Sequence, residues 1–155
     1  MSNTEKRPLT AEDLYDLKLV TDPQISPDGA QVLFGLMRVD KETEKKHTNF
    51  WLAASDGRSA PRQITFGDHT DTHARWSPDG QTIAFLSNRK DEKQMQLYLL
   101  PVGGGEARPL TDLKGSFSGF TWSPDGSQLL TQFRKKDQAA LAREADEQKK
   151  KLGVV

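Results

Sequence analysis

The stretch Ser26-Pro27-Asp28-Gly29 returns in this chain as Ser77-Pro78-Asp79-Gly80 and again as Ser123-Pro124-Asp125-Gly126. Each copy follows a large apolar residue and precedes a short apolar run. The residue order is that of a tight turn, because Pro fixes φ at the second position and Gly accepts the left-handed conformation at the fourth. Three such turns, each between two apolar runs, predict three β-hairpins of one repeated type.

The spacing of the turns predicts a β-propeller. Ser26 and Ser77 are 51 residues apart, and Ser77 and Ser123 are 46 residues apart, which are periods typical of four-stranded propeller blades. A Thr closes each predicted outer strand, and a Trp precedes the next turn. The number of residues between that Thr and that Trp is the same in both repeats. Those pairs are Thr65 with Trp76 and Thr111 with Trp122, each separated by 11 residues. The extra length of the first repeat is therefore expected in the charged stretch 40–47.

We predict an all-β fold, a partial β-propeller of about two and a half four-stranded blades. A short N-terminal helix and a charged C-terminal helix complete it. The predicted domains are an arm and helix (1–20), propeller blades (21–133, divided into 21–66, 67–112 and an incomplete 113–133), and a truncated charged helical insertion (134–155). Because propellers close with roughly four to eight blades, we expect the chain to be part of something longer or to assemble with its own copies.

Local signals predict the bounds of the elements. Thr10 is expected to cap a short helix with acidic residues in its first turn, which ends before Thr21. The predicted strands are 31–39, 49–54, 62–65, 82–87, 96–102, 117–122 and 127–133. Residues 134–152 contain no Gly or Pro and predict a largely solvated helix, with Gly153 as its C-cap.

The strand order also predicts two different faces. The Ser-Pro-Asp-Gly turns and the turns after the third strands share one face, and the charged loops share the other face with the links between blades. The second face carries the length variation, at 40–47, 88–93 and 134–152. We expect binding there, because variable loops on a rigid scaffold usually carry it.

Composition argues against several classes of protein. The chain has 155 residues, no Cys, and 22 basic against 22 acidic side chains. A disulfide framework is excluded, and zero net charge gives no electrostatic case for nucleic acid or an anionic membrane as partner. Residues 1–9 contain no apolar signal core, and no apolar run is long enough to span a membrane. We therefore expect a cytoplasmic protein.

The histidines provide the candidate metal site. His69 and His73 lie four residues apart, with Asp68 and Asp71 beside and between them. That spacing suits a metal on a helix, but this segment is a link that runs into a strand, where side chains alternate. We interpret these residues, like His47, as polar loop and strand positions, and we predict no metal and no cofactor.

Two glycine-rich stretches resemble catalytic loops only in part. Gly103-Gly104-Gly105 lacks the helix N-terminus and the Lys-Ser/Thr that a phosphate-binding loop needs, so a hairpin turn is predicted. Gly115-Ser116-Phe117-Ser118-Gly119 has Phe where a nucleophile elbow needs Ser. We assign no catalytic residue, and the charged helix of mixed sign is interpreted as a solvated face rather than a partner site.

The repeats resemble the propeller blades of the prolyl oligopeptidase family and of the bacterial Tol-system propeller. Two flanking features favour the first. The lead-in Leu9-Thr10-Ala11-Glu12-Asp13-Leu14, followed by Asp22-Pro23-Gln24-Ile25, and the insertion ending Lys150-Lys151-Leu152-Gly153-Val154-Val155 resemble the start of the acylaminoacyl-peptidase and dipeptidyl-peptidase branch.

This resemblance implies an N-terminal propeller that filters peptide substrates. It also implies an α/β-hydrolase domain, C-terminal to this segment, that carries a Ser, Asp and His triad. No position in the chain matches that triad, so the expected role is a non-catalytic part of a serine peptidase. The alternative is a non-catalytic protein-interaction propeller of the Tol-system or WD-repeat type, and the lack of a signal sequence argues against the periplasmic Tol version.

Overall fold

The computed structural model describes residues 7–151, which form three antiparallel sheets and two helices. The first sheet, preceded by α1 (Asp13–Asp16), contains β1 (Leu19–Ile25), β2 (Gln31–Val39), β3 (Lys46–Ala54) and β4 (Arg62–Gln63). The second contains β5 (Asp71–Trp76), β6 (Thr82–Ser87), β7 (Gln96–Pro101) and β8 (Arg108–Pro109). The third contains β9 (Gly115–Trp122) and β10 (Leu129–Lys135), followed by α2 (Gln138–Lys151).

The sheets are arranged as successive blades. Sheets one and two have their strands in chain order, and sheet three is the single pair β9 and β10. The first strands lie against one another, β1 on β5 and β5 on β9, so the sheets radiate from their first strands. The predicted fold, an all-β partial propeller with a short N-terminal helix and a charged C-terminal helix, is confirmed.

Each Ser-Pro-Asp-Gly turn is closed by the same hydrogen bonds. In the second turn, the Ser77 hydroxyl donates to Asp79 Oδ1 (2.5 Å) and accepts from the Thr82 N–H (2.9 Å). The Gly80 N–H donates to the Ser77 carbonyl (2.9 Å), and Gly80 has φ of +70°. This left-handed conformation favours Gly, as the turn motif predicted.

The two kinds of turn meet at one end of each sheet. The Ser55 N–H donates to the Ala30 carbonyl (2.9 Å) in sheet one, and the Val102 N–H donates to the Gln81 carbonyl (2.9 Å) in sheet two. The charged loops and the links between sheets lie at the opposite end, which we call the loop face. The predicted division into two faces is therefore confirmed.

The core lies between the sheets. Phe85 of sheet two meets Phe50 of sheet one edge to face, with ring centroids 5.4 Å apart, and stacks on Tyr98 at 5.8 Å. A second buried cluster joins sheet two to sheet three, where Leu86 and Phe120 are members. Both faces of sheet two are therefore covered, whereas sheets one and three are each covered on one face.

The predicted cap of α1 is wrong. The N-cap is Glu12, which makes no side-chain capping bond. The Thr10 N–H (2.7 Å) and hydroxyl (3.2 Å) instead both donate to the Asp13 carboxylate, which also pairs with Arg7. The carboxylate brings Thr10 into a turn before the helix, so α1 begins later and is shorter than expected.

Several strand bounds differ from the predicted ones, because backbone pairing extends beyond the apolar runs. The bounds of β2 and β6 are as predicted, but β3 begins at Lys46, which pairs with Val39. The first loop is therefore 40–45, and the extra length of the first repeat lies largely in the longer β2–β3 hairpin. At the other end, β10 continues to Lys135 and delays the start of α2. The predicted cap at Gly153 lies outside the described residues.

Candidate functional site

The loop face carries an open cleft of about 500 Å³ between sheets one and two. Its walls are the start of β3, the link before β5 and the loop between β6 and β7. The lining residues are 45–47, 68–70 and 88–92. Basic side chains, acidic side chains and two histidines line these walls, so the cleft offers both donors and acceptors rather than one sign of charge.

The floor of the cleft is built on a buried carboxylate. Asp71, at the start of β5, is fully buried and accepts a hydrogen bond from Arg89 Nη2 at 2.9 Å. His69 Nε2 lies 3.3 Å from the same oxygen. Neither that nitrogen nor Asp71 Oδ2 has a hydrogen-bond partner.

The charge of this floor is set by two opposing effects. Burial by itself raises the pKa of Asp71. The contact with His69, the neighbouring hydroxyl groups and the positive charge of Arg89 together lower that pKa by more, so it lies below its usual range. Asp71 is therefore a carboxylate at neutral pH, neutralised by the guanidinium above it.

Arg89 is fixed on three sides. Its guanidinium lies over the rings of Phe85 (5.1 Å) and Tyr98 (4.7 Å), and its Nε donates to Ser87 Oγ at 3.0 Å. Cation–π contacts of this kind hold a guanidinium in one orientation. These contacts hold Arg89, and with it the floor of the cleft, against sheet two.

Three exposed ion pairs connect the loops above the floor. They are Lys45–Glu92 (2.7 Å), Lys90–Asp112 (2.8 Å) and Arg38–Asp68 (2.6 Å). Hydrogen bonds from the lysines hold the pKa values of Glu92 and Asp112 below their usual range. Exposed pairs contribute little to stability, so their effect is to position the loops, most strongly at low salt.

The inner strands carry a second polar surface at two β-bulges. Asp22 in β1 (φ 44°) and His73 in β5 (φ 58°) are left-handed, and each lies at a shift in strand register. A non-Gly residue in this conformation is strained, and such strain and bulges concentrate near functional sites. Asp22 Oδ2 accepts from Arg75 Nη1 at 2.7 Å across the two sheets. The bulges therefore place polar groups on the strands nearest the propeller axis.

The residues of the candidate metal site are divided between different surroundings. Asp68 pairs with Arg38 on the surface, and His69 and Asp71 form the cleft floor. His73 lies in β5 with its ring 5.5 Å from that of Phe120. Among residues 7–151, no group of three or more His, Asp or Glu side chains is placed to hold a metal ion.

The other predicted candidates lie in regular structure. Gly103-Gly104-Gly105 is the turn between the antiparallel strands β7 and β8, so the hairpin interpretation is confirmed. Gly115-Ser116-Phe117-Ser118-Gly119 lies within β9 and pairs with β10, so it makes no strand-to-helix turn. Within the described part of the chain, no helix combines the length and apolarity needed to span a membrane.

Sequence reasoning predicted binding on the loop face, but it missed the Asp71–Arg89 pair on the floor of the cleft and the polar surface of the inner strands. Arg89 lies in a charged loop, and nothing in the sequence indicates that it pairs with Asp71, because the two residues are 18 positions apart. Asp22 and His73 did leave a signal, since each precedes the Ser of its turn by four residues. Aligning the repeats on their turns would have placed these two polar residues at the same position of the first strand of each repeat.

Comparison with known proteins identifies relatives of this arrangement. The sequence profile of the TolB beta propeller domain matches residues 13–153. An uncharacterized peptidase, YuxL, from Bacillus subtilis is 40% identical over 126 residues, which are 81% of this chain and 19% of that protein. Dipeptidyl-peptidase 5 from Porphyromonas endodontalis is 31% identical over 122 residues, 79% of this chain and 17% of that protein.

A solved structure shows the same fold. The beta-propeller domain of the Trilobed protease from Pyrococcus furiosus, described as having an open velcro topology, superposes with a TM-score of 0.64. Sequence identity there is 20%, with 79% of this chain and 36% of that chain covered. The chain spans less than a fifth of the length of the two curated relatives, and both of them are named as peptidases.

Proposed function

Because this chain belongs to the TolB beta propeller domain family, we propose that it is the N-terminal, substrate-filtering propeller segment of a serine peptidase. The observation that carries the proposal is the 40% identity to a peptidase along 81% of the chain. The predicted resemblance to propeller-bearing peptidases is confirmed by those relatives.

The chemistry of acyl transfer would lie outside residues 1–155. A serine peptidase needs a nucleophile activated by a base, and N–H donors directed at the developing oxyanion. The stretch Gly115–Gly119 is strand, and His69 Nε2 lies 3.3 Å from the buried carboxylate of Asp71. In this proposal an α/β-hydrolase domain, C-terminal to the segment, supplies the triad.

The two polar surfaces suit peptide selection. A peptide presents amide donors and acceptors along its length and a charge at each terminus. The inner strands offer the half-exposed pair of Asp22 and Arg75, and the loop-face cleft offers charges of both signs. Because Asp22 is paired with Arg75 and Arg89 is held by Ser87 and two rings, these groups would admit or exclude a peptide with little further ordering.

The proposal is tested by comparing residues 1–155 with the protein encoded by the whole reading frame. Residues 1–155 should release no product from aminoacyl or dipeptidyl chromogenic substrates. The whole protein should release it, react with a serine-directed fluorophosphonate, and lose activity when so labelled. A whole protein with neither labelling nor turnover contradicts the peptidase proposal and favours a protein-interaction propeller.

The filtering role has a separate test in the whole protein. Replacing Arg75 by Ala should change the ratio of kcat/KM values for long and short peptides, because the inner-strand pair is lost. Arg58, which is exposed in the turn after β3, provides the matched Arg58→Ala control, because that change also removes one positive charge. An unchanged ratio in Arg75→Ala, with the fold retained, would remove the inner strands from substrate selection.

A further inference from the structure

The chain contains four Asp-Gly pairs, and all four lie in the same kind of turn. Three belong to the Ser-Pro-Asp-Gly turns, and the fourth belongs to Ala54-Ser55-Asp56-Gly57, between β3 and β4. The Gly57 N–H donates to the Ala54 carbonyl at 3.1 Å, as the Gly80 N–H donates to the Ser77 carbonyl at 2.9 Å. Gly57 has φ of 68° and Gly80 has φ of 70°. The fourth turn therefore repeats the backbone of the other three.

The fourth turn differs from the others by one missing hydrogen bond. In the Ser-Pro-Asp-Gly turns the Ser hydroxyl donates to the Asp carboxylate at 2.5 Å. Ala54 stands at the position of that Ser, so the donor is absent. Among residues 7–151, the Asp56 carboxylate is contacted only by Arg58, through its N–H (3.0 Å) and its Nε (3.5 Å). The Arg58 side chain is 87% exposed, so this pair restrains Asp56 weakly.

An Asp-Gly pair can rearrange without an enzyme, because Gly has no side chain to hinder its own backbone nitrogen. That nitrogen forms a bond to Cγ of the protonated Asp, and the amide proton leaves with the carboxyl hydroxyl as water. A succinimide ring results, and water then opens it. Opening at Cγ restores Asp, whereas opening at the main-chain carbonyl carbon gives isoaspartate, in which the backbone runs through the side chain. Water is the only other reactant.

The Ser hydroxyl opposes this reaction in two ways. It holds the carboxylate, so the bond must break before Cγ can turn towards the Gly nitrogen. It also stabilises the ionised form, which has no hydroxyl to lose as water, and it is the main reason that the pKa values of Asp28, Asp79 and Asp125 lie below their usual range. The three repeated turns are therefore protected by their first residue.

We propose that Asp56 is a modification site, at which this segment isomerises to isoaspartate while the Ser-Pro-Asp-Gly turns stay intact. The Asp56 side chain is 51% exposed, and a Cβ placed on Gly57 would meet no atom within 4 Å, so the ring has room to form. Because β4 pairs with β3 at only two positions, a methylene group added to the connecting turn would displace the outer strand of sheet one. The inference is independent of the peptidase proposal.

The experiment follows isoaspartate in the protein encoded by the whole reading frame, kept near neutral pH at physiological temperature. Peptide mapping with electron-transfer fragmentation distinguishes isoaspartate from aspartate at each position. Isoaspartate should form about five- to tenfold faster at Asp56 than at Asp28, Asp79 or Asp125, because one hydrogen bond has about that value. Equal rates at the four positions overturn the proposal. In urea the four should react alike, and an excess at Asp56 that persists there would show that the folded turns protect nothing.

Two reciprocal variants test the missing hydroxyl group directly. Ala54→Ser adds the donor and should slow isomerisation at Asp56 to the rate of the other turns, whereas Ser77→Ala should speed it at Asp79. Ala53→Ser, which adds a hydroxyl one residue away, is the matched control and should leave Asp56 as reactive as in the parent. Circular dichroism checks that each variant keeps the strand content of the parent. An Ala54→Ser protein that isomerises at Asp56 as fast as the control overturns the proposal.

Discussion

Sheets two and three carry the same turn and differ in what covers them. Five of the six residues of β6 are buried, whereas none of the seven residues of β10 is buried. The turns of the two sheets nevertheless have the same hydrogen bonds, and the Ser hydroxyl lies 2.5 Å from the Asp carboxylate in both. Turn geometry in this fold is therefore local, while burial is supplied by the neighbouring sheets.

The comparison separates two contributions to stability. A hairpin closed by a tight turn is marginal by itself, so the turns direct the chain without holding the fold. The free energy of unfolding should come mainly from apolar side chains between sheets. Truncating a buried side chain in sheet two should then lower the free energy of unfolding strongly. An equivalent truncation on the open face of sheet three should hardly change it.

The largest expected effect is at the centre of the first inter-sheet core. Phe85→Ala should lower the free energy of unfolding by about 4 kcal/mol, because a fully buried aromatic side chain leaves a cavity. Phe85 is 0% exposed and contacts the rings of Phe50 and Tyr98. Urea unfolding followed by Trp fluorescence measures the change, with Leu130→Ala as the control that should lose less than about 0.5 kcal/mol. Similar losses in both variants would contradict the difference between the sheets.

Many of the structural features compared above could be predicted from the sequence, because turns and apolar runs are local signals. The three turns, the bounds of β2 and β6 and the two faces follow from residue order alone. The start of β3 does not, since Lys46 and His47 are polar and enter the strand only through pairing with Val39 and Arg38. Backbone hydrogen bonding does not require apolar side chains, so hydrophobic patterning underestimates strand length there.

The next effect concerns the buried charge beneath the cleft. Arg89→Ala should lower the free energy of unfolding by about 3 kcal/mol, because it leaves the Asp71 carboxylate buried without its cation. Lys90→Ala, at the neighbouring exposed pair, is the matched control and should have no measurable effect. Thermal unfolding of both variants at neutral pH provides the measurement, and an Arg89→Ala variant as stable as the parent would exclude a structural role for the pair.

The same pair predicts the direction of a pH effect. The pKa of folded Asp71 lies below its usual range, so its contribution to stability is present above the unfolded pKa of about 3.9. It is lost as pH falls through the lower folded pKa. Removing Arg89 takes away one of the lowering effects, so the folded pKa rises towards the unfolded value and the acid loss should be complete at a higher pH. An acid unfolding midpoint that is the same in both proteins would contradict this.

A smaller difference in the loss of stability is expected between Ala substitutions at two glycines of the repeated turn. Gly29 and Gly126 have nearly the same φ, 73° and 71°, so Ala at either should cost about 1 kcal/mol in backbone strain. At Gly126 the new methyl group would also lie 3.3 Å from Pro78, whereas at Gly29 it meets nothing within 4 Å. Gly126→Ala should therefore cost about 2 kcal/mol in total. Equal losses in urea unfolding would indicate that the proline moves away freely.

The candidate site shows where sequence reasoning stops. Asp71 and Arg89 meet only because β5 and β6 are paired, and the rings that orient Arg89 come from two different strands. Neither spacing nor composition contains those contacts. The inner-strand pair of Asp22 and Arg75 joins two sheets, so it depends on how one repeat packs on the next. Repeats can be read from a sequence more readily than the contacts between them.

The smallest expected effect distinguishes the third turn from the other two by one hydroxyl group. Hydrogen bonds from Ser123, then from the hydroxyl and N–H of Ser127, lower the pKa of Asp125 to about 2. The first and second turns have Ala30 and Gln81 at the position of Ser127, and there the carboxylate accepts only the N–H from that residue. Ser127→Ala should therefore raise the pKa of Asp125 toward those of Asp28 and Asp79, which NMR titration of the carboxyl carbons measures directly.

The direction of this change in the pKa of Asp125 also determines how the stability of the fold depends on pH. A folded pKa below the unfolded value stabilises the fold above about pH 3.9, and that contribution disappears as pH falls through about 2. With Ser127→Ala the loss should be complete at a higher pH, while the neutral-pH stability changes little, because the turn is exposed to solvent. Ser127→Thr keeps the hydroxyl and should retain the low pKa of Asp125. If both variants titrate alike, the hydroxyl of residue 127 is not what separates the third turn from the others, and the bonds common to all three turns, from the first Ser hydroxyl and from the N–H groups, must account for the lowered pKa.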